Sequence, residues 1–562
     1  MKKKDELDIS KLTVWVGAGI SIKDPARLPS GNELTEFALT NMIIGKDKFL
    51  EIWRQINSYE NKYCNLNVTK FPRLELLLSS IAYIEKYFMG KGRFKGKFLG
   101  GLKAFDEVPY NDNHMLLAAL VHAGACVMTA NFDLGIERAY KSLYGEECNK
   151  VVHFHGTNSS GDKIGATIEN ITHFVNRTID HKVKKSFQSM NSNYFYGYSF
   201  SDMYDINTAI YELYSSTNIN YTKDNWVCNH NGKDDELAEK AYNSFAKEEN
   251  VNIIEKCDTT VALKCLCAKY SVDIPSEVEK YNAMLRDNVC WKEMFLAKTE
   301  ITEEFKILST IHFFNRMGIA VDKVDKEILD KYEQLTFDND KKEILEYHLA
   351  ANSKYWFERY GNTRLKTDYH KRELHKRQMS AELKNILTGN YVKNDVHYII
   401  QNIKKKKFIM YEDFNELNMR MNEFKIQLIK GVNENELKNS DILEIKYLID
   451  EFSKFPVGKY ISIQLYASIY RYKMLIANED EEENRKNLQK ASELYYDIGN
   501  IDGIVSSRLY HFISSNDKKS IGKWKRIFQT QEWKELKNLC RDAGSYRYEQ
   551  LMNKLEMEKV GV

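Results

Sequence analysis

Four short segments carry residues that can do chemistry. The first is Gly17-Ala18-Gly19-Ile20-Ser21, directly after the apolar run Leu12 to Val16. Glycines at 17 and 19 remove the Cβ atoms that would block a sharp turn or hold a ligand off the backbone. If a helix starts there, free N–H groups and the positive end of the helix dipole suit a phosphate or pyrophosphate. Ser21 is placed to bond that phosphate or to cap the helix. The second segment is Met128-Thr129-Ala130-Asn131-Phe132-Asp133. Asn131 offers a carboxamide that donates and accepts without carrying charge. Asp133 either fixes the loop or caps the helix that follows. The third is Val151-Val152-His153-Phe154-His155-Gly156. A neutral imidazole is a competent base near neutral pH, and His155 is the candidate. Gly156 gives the chain room to turn beside a ligand. His153 shares a strand face with His155 but lies deeper, so it is assigned to packing. The fourth is Tyr196-Gly197-Tyr198-Ser199-Phe200-Ser201-Asp202, where Asp202 is also a plausible helix cap.

Something must hold these segments together. Strand-like runs end at Val16, Met128, Phe154 and Tyr196, with a fifth ending at Ile254, each followed by Gly, Asn, Asp or Ser. Helical patterns lie between them, including Leu34 to Ile43 and Met115 to Val121. Strands alternating with helices predict a Rossmann-like parallel sheet of the α/β class. Ligands of such sheets bind at the carboxyl ends of strands, where all four segments sit. The long stretch 41–113 contains a helical pattern, Leu74 to Tyr87, and a Gly/Lys-rich stretch, Met89 to Gly101. It is expected as a helical insertion capping the crevice. Its Lys91, Arg93, Lys95 and Lys97 read as a solvated loop.

The series GAGIS, T-x-N-x-D, His-Gly and a later G-x-S resembles the SIR2 (sirtuin) superfamily. The form G-x-S-x-x-D in the last segment is most similar to SIR2-like domains of prokaryotic anti-phage defence proteins. The resemblance covers residues 8–272. It implies NAD+ as substrate and cleavage of the bond between nicotinamide and ribose through an oxocarbenium-like transition state. It assigns His155 to deprotonating a ribose hydroxyl, Asn131 to orienting the ribose or the attacking water, and Asp133 to the loop or a ribose hydroxyl. Gly17, Ala18, Gly19 and Ser21 would meet the phosphates. Gly197, Ser199 and Asp202 would serve the adenine-side ribose and phosphates. Asp258 and Thr259, after the run Val251 to Ile254, would form the adenine-side loop.

Two features depart from that family. Protein-deacylating sirtuins carry paired C-x-x-C motifs for a structural zinc, and none of the nine cysteines here forms a C-x-x-C pair. No metal is expected. Arg27 also stands where the family has a glycine. Both departures favour water over an acyl-lysine as the acceptor.

At 562 residues the chain is too long for one core, so two or three domains are expected. With 82 basic and 80 acidic residues, global charge points to neither nucleic acid nor membrane. Met1 to Glu6 is charged without an apolar run, so no signal peptide or membrane span is expected. The scattered cysteines fit a reduced bacterial cytoplasm.

Residues 276–562 are expected to form an all-α region. Val278 to Leu285, Phe305 to Phe314, Lys342 to Trp356, Ile442 to Phe452 and Ile461 to Ile476 show three- and four-residue apolar spacing. Ala491 to Gly503 resembles one tetratricopeptide turn, with small and aromatic residues pairing two helices. Lys404 to Lys407 and His370 to Arg377 are basic spots, favoured as solvated helix faces over a nucleic-acid contact.

The resemblance implies a latent NAD+ hydrolase that depletes NAD in abortive infection. It further implies a homo-oligomer, with a phage or host trigger acting on the helical region. The alternatives are an NAD-dependent deacylase or ADP-ribosyltransferase, a nucleotide-sensing module without turnover, and a SIR2-APAZ partner of a short Argonaute.

Overall fold

The computed structural model of the chain describes residues 7–66, 68–89, 95–157, 165–168, 186, 192–198, 224–229, 251–255, 258–274, 276, 290–336, 339–352, 356, 463, 466–471, 474, 481–516 and 521–560. In chain order its elements begin with β1 (Leu12–Val16), α1 (Gly31–Met42), α2 (Lys46–Cys64), α3 (Leu74–Tyr87), α4 (Asp112–Ala123), β2 (Cys126–Thr129) and α5 (Gly135–Tyr144). There follow β3 (Val151–His153), β4 (Ser192–Tyr196), β5 (Asp224–Asn229), β6 (Val251–Glu255), α6 (Thr259–Lys269), α7 (Trp291–Ala297) and α8 (Glu303–Met317). After the short helix α9 (Val321–Val324) come α10 (Ile328–Gln334), α11 (Asn339–Asn352), α12 (Glu481–Asp497), α13 (Ile501–Asn516), α14 (Ile521–Gln529), α15 (Gln531–Ala543) and α16 (Tyr546–Val560).

The six strands form one sheet in the order β3-β2-β1-β4-β5-β6, and every pair is parallel. That is the strand order of a Rossmann-type sheet, whose direction of winding switches between β1 and β4. Strand β1 is the centre, and all five of its residues are buried. Its near-continuous apolar run is what a strand covered on both faces requires. Leu12, Val14 and Val16 pack with Tyr194, Tyr196 and Val127 against α4, α5 and α6. On the other face Trp15 stacks on Phe195 at 5.6 Å and donates its indole N–H to Asn193 Oδ1 at 2.9 Å. Register does the positioning: Val16 is level with Thr129 on one side and Tyr196 on the other. Chain after β1, β2 and β4 therefore leaves the sheet at one height.

Strand β5 was not expected from the sequence. Only Trp226, Val227 and Cys228 interrupt its polar flanks, too short a run to show a period.

The chain divides into two compact units. One comprises residues 1–34 and 97–300, the other 35–96 and 301–562. The stretch expected as one insertion, 41–113, is therefore split. Its first part, to Gly96, packs with the helical unit, and Lys97 onward belongs to the α/β unit. Residues 276–300 also join the α/β unit, where Phe295 of α7 packs on Phe98 at 5.0 Å.

The helical unit is held by aromatic and buried polar contacts. Phe49 of α2 packs on Phe313 and Phe314 of α8 at 5.3 and 5.5 Å. Trp53 stacks on Tyr496 at 5.3 Å, and the Tyr496 hydroxyl donates to Asn57 Oδ1 at 2.8 Å. Helices α12 and α13 pair through a three-residue turn. Gly503 lies under Tyr495, where a Cβ would come within 2.2 Å of the ring. The expected helices Val278 to Leu285 and Ile442 to Phe452, and both basic spots, lie outside the described residues. No described helix is long and apolar enough to cross a membrane.

Candidate active site at the carboxyl ends of the central strands

The glycine turn differs from the expected phosphate cradle. Gly17 is followed by a three-residue 3-10 turn, Ala18–Ile20, and no α-helix starts there. Its N–H groups are used internally. Gly17 donates to Tyr196 O, Gly19 to Gly197 O, Ile20 to Gly17 O and Ser21 to Ala18 O. Among the described residues only the Ala18 N–H of this turn has no partner. The glycines are required by another backbone. A Cβ on Gly17 would lie 2.6 Å from Gly197 O, and one on Gly19 would lie 2.6 Å from Gly197 Cα. Gly197 itself has φ +57°, and a Cβ there would meet Gly19 and Ile20 backbone atoms at 2.8 Å. Two glycine turns, at the ends of β1 and β4, thus cross in contact at the switch point of the sheet.

Ser21 is the hub of a buried polar cluster rather than a phosphate ligand or cap. Its side chain is 1% exposed. Oγ lies 3.1 Å from Asn131 Nδ2, 3.0 Å from His114 Nε2 and 3.3 Å from Asp133 Oδ2. The proton positions follow from the partners. His114 Nδ1 accepts the Asn111 N–H at 3.0 Å, so the neutral ring carries its proton on Nε2 and donates it to Ser21. Burial holds His114 below the usual histidine range, against the opposing charge of Asp133, which keeps the ring neutral. Ser21 Oγ then receives two bonds and gives its own hydrogen to Asp133. This arrangement also fixes the orientation of the Asn131 amide, with nitrogen on Ser21.

His114 escaped the sequence reading. It closes a capping box with Asn111 at the start of α4. Asn111 and Asn113 each donate a side-chain N–H to Ile20 O at 2.9 Å, which pins the glycine turn. The signal was Asn111-Asp112-Asn113-His114 opening an apolar helix. It was missed because His is not the usual third residue of a capping box.

Asn131 is held at three points. Its N–H donates to Thr129 Oγ1 at 3.0 Å, its carbonyl lies 2.9 Å from His153 Nδ1, and its amide nitrogen rests on Ser21. Its Oδ1 makes no bond among the described residues. Asp133 accepts Gly135 N–H at 2.9 Å and is 6% exposed, so it serves the loop at the start of α5.

His155 is buried, with Nδ1 3.2 Å from Ala130 O. A carbonyl only accepts, so Nδ1 carries a proton, and when the ring is neutral its lone pair is on Nε2. Gly156 turns the chain with φ +72°. His153 is not packing. Its Nε2 lies 2.6 Å from Glu137 Oε1 while Nδ1 holds Asn131.

The adenine-side residues have internal roles. Asp258 caps α6, accepting Thr260 and Val261 N–H at 2.9 and 3.2 Å, and pairs with Lys23. Burial would raise its carboxyl, but the Lys23 and backbone bonds prevail and hold it below the usual range. Thr259 is 1% exposed, which withdraws it from any ligand in this conformation. Arg27 pairs with Asp24. Ser199 and Asp202 lie outside the described residues. No group of three or more His, Cys, Asp or Glu suited to a metal occurs among the described residues.

The arrangement offers one fixed carboxamide acceptor and one imidazole at neighbouring strand ends. No family model and no curated protein matches the chain.

Proposed function

We propose that the α/β unit hydrolyses NAD+ to nicotinamide and ADP-ribose. One observation carries this: the three-point fixation of Asn131, with Oδ1 left to accept, at the switch-point end of a 3-2-1-4-5-6 sheet where dinucleotides bind. In the reaction the bond between ribose C1′ and the nicotinamide nitrogen breaks. Its electron pair leaves with the nitrogen, so nicotinamide departs neutral. Water oxygen bonds to C1′ and one proton is released. Asn131 Oδ1 accepts a hydrogen from the water or from a ribose hydroxyl and so aims the nucleophile. His155 Nε2 takes the proton. An uncharged pair suits a positive transition state whose charge lies on the substrate.

The four segments resemble the SIR2 series in order and residue type, which supports this chemistry over other dinucleotide reactions. The absence of C-x-x-C pairs favours water as the acceptor. By the same resemblance the enzyme is latent, acts in anti-phage defence as a homo-oligomer in the bacterial cytoplasm, and is released by a trigger acting on the helical unit.

The test is NAD content in bacteria expressing the protein during phage challenge, beside Asn131→Ala and His155→Ala at equal expression. NAD should collapse with the intact protein and hold with both variants. NAD holding in all three while protection persists would rule out hydrolysis and leave a nucleotide sensor.

A further inference from the structure

Beside the Ser21 cluster lies a second buried ionisable pair that the proposed chemistry does not use. His153 Nδ1 lies 2.9 Å from Asn131 O and Nε2 lies 2.6 Å from Glu137 Oε1. The side chains are 8% and 17% exposed. Both partners of the ring are acceptors, a carbonyl and a carboxylate, so both nitrogens carry protons. Glu137 Oε2 is buried with no partner among the described residues, so His153 is the group that compensates this carboxylate. We propose that His153, held as an imidazolium by Glu137, is a positioning residue that fixes Asn131 for attack on the nicotinamide–ribose bond. The inference rests on the NAD-hydrolase chemistry above.

The physical case is as follows. Asn131 sits in a loop between β2 and α5, and loops place side chains less accurately than strands do. His153 lies on β3 and Glu137 on α5, both regular elements. Through them the Asn131 carbonyl is tied to the sheet and to the helix at once. A charged donor makes a bond roughly twice as strong as a neutral one. Glu137 from α5 and Asp133 from the β2–α5 loop are the charged groups acting on the ring. Burial pushes the ring's pKa down, but the bond and charge of Glu137 outweigh it, and the pKa stands above the usual histidine value. The sign follows: a raised folded pKa means the tie is complete at low pH and is lost as pH climbs through that pKa. Without Glu137 only the Asn131 carbonyl and the charge of Asp133 are left to oppose burial, and the second proton leaves at lower pH.

The experiment uses the full-length protein and two readouts. The ring state is read by solid-state NMR of nitrogen-15 histidine-labelled protein, with His153→Gln to assign the signal. Turnover is read as nicotinamide release from NAD+ across pH, for wild type, Glu137→Gln and Asn131→Ala. If the purified wild type is silent, the same variants are ranked by NAD decay in challenged cells. His153 should be doubly protonated near neutral pH. Glu137→Gln should lower kcat by about tenfold with KM for NAD+ nearly unchanged, as loss of one charged bond implies. Its alkaline limb should move to lower pH, which a merely structural contact would not do. A neutral His153 ring overturns the inference, as does Glu137→Gln with unchanged kcat and pH profile beside an inactive Asn131→Ala. If Asn131→Ala is as active as the wild type, the hydrolase chemistry itself fails, whatever the ring state.

Discussion

Replacing Ser21 by alanine separates the two roles the sequence allowed it. As a phosphate ligand, Ser21 would act on NAD+ affinity. As the structure has it, Ser21 holds Asn131 Nδ2 at 3.1 Å, receives His114 Nε2 at 3.0 Å and donates to Asp133 Oδ2 at 3.3 Å. Alanine deletes all three bonds. Asn131 is only partly buried and regains a partner from water. His114 and Asp133 are 1% and 6% exposed, and water does not readily reach them. They already face each other at 3.6 Å, so a small shift lets the ring donate directly to the carboxylate. The net stability cost is then that of about one buried polar group, roughly 1–3 kcal/mol. Catalysis should suffer more. The carboxamide loses the contact that fixes its rotation, and a misplacement near 1 Å costs on the order of a hundredfold in rate. The expected result for Ser21→Ala is a modest fall in the denaturant midpoint, a large fall in kcat and little change in KM. Midpoints follow from fluorescence in urea, and rates from nicotinamide release. A raised KM with unchanged kcat would refute the positioning role and restore the phosphate contact.

Two further outcomes follow from packing. Gly197→Ala combines a positive φ with backbone overlap at 2.8 Å, so it should cost at least about 3 kcal/mol of stability and unfold the glycine crossing; a folded variant that merely binds NAD+ less tightly, by calorimetry and circular dichroism, would show that the glycine serves the ligand instead. In the helical unit Arg508 is 2% exposed and pairs with Glu60, itself 0% exposed. Arg508→Met strands that carboxylate and should cost roughly 3–5 kcal/mol, while adding Glu60→Met should recover most of it. Thermal unfolding of the three proteins checks this, and a double variant no more stable than the single one would contradict it.

The sheet was legible because its central strands are written as apolar runs ending in turn residues. Strand β5 was not, since only three apolar residues sit between polar ones. The four segments of the site were also legible, and so was their height on the sheet, because each ends a strand. Partners across the chain were not. Gly17 and Gly19 announced that something approaches the backbone closely, but not that it is Gly197, about 180 residues away. His153 read as packing because its partner Glu137 lies on α5, and period alone cannot reveal a pair formed between a strand and a helix. The helical patterns between 41 and 96 were equally visible, yet an apolar helix face does not say which core receives it. Here it is the helical unit's own.

These misses share a cause that bears on function. Sequence pattern exposes groups that terminate an element, and so Asn131 and His155 stand out in it. It conceals groups that restrain them from neighbouring elements, namely Ser21 as a hub, His114 and the Glu137–His153 pair. The restraints all converge on one residue. Asn131 is gripped from the glycine turn after β1 through Ser21, from β2 through Thr129 and from β3 through His153. His155 is held at its Nδ1 by Ala130 O. A carboxamide needs that precision because it has no charge with which to attract its partner over a distance. It acts only where the nucleophile's hydrogen meets its oxygen at bonding range. Two of these contacts hold the Asn131 backbone and one its amide, and that fixation suits the proposed hydrolysis by an aimed water better than one by a strong base.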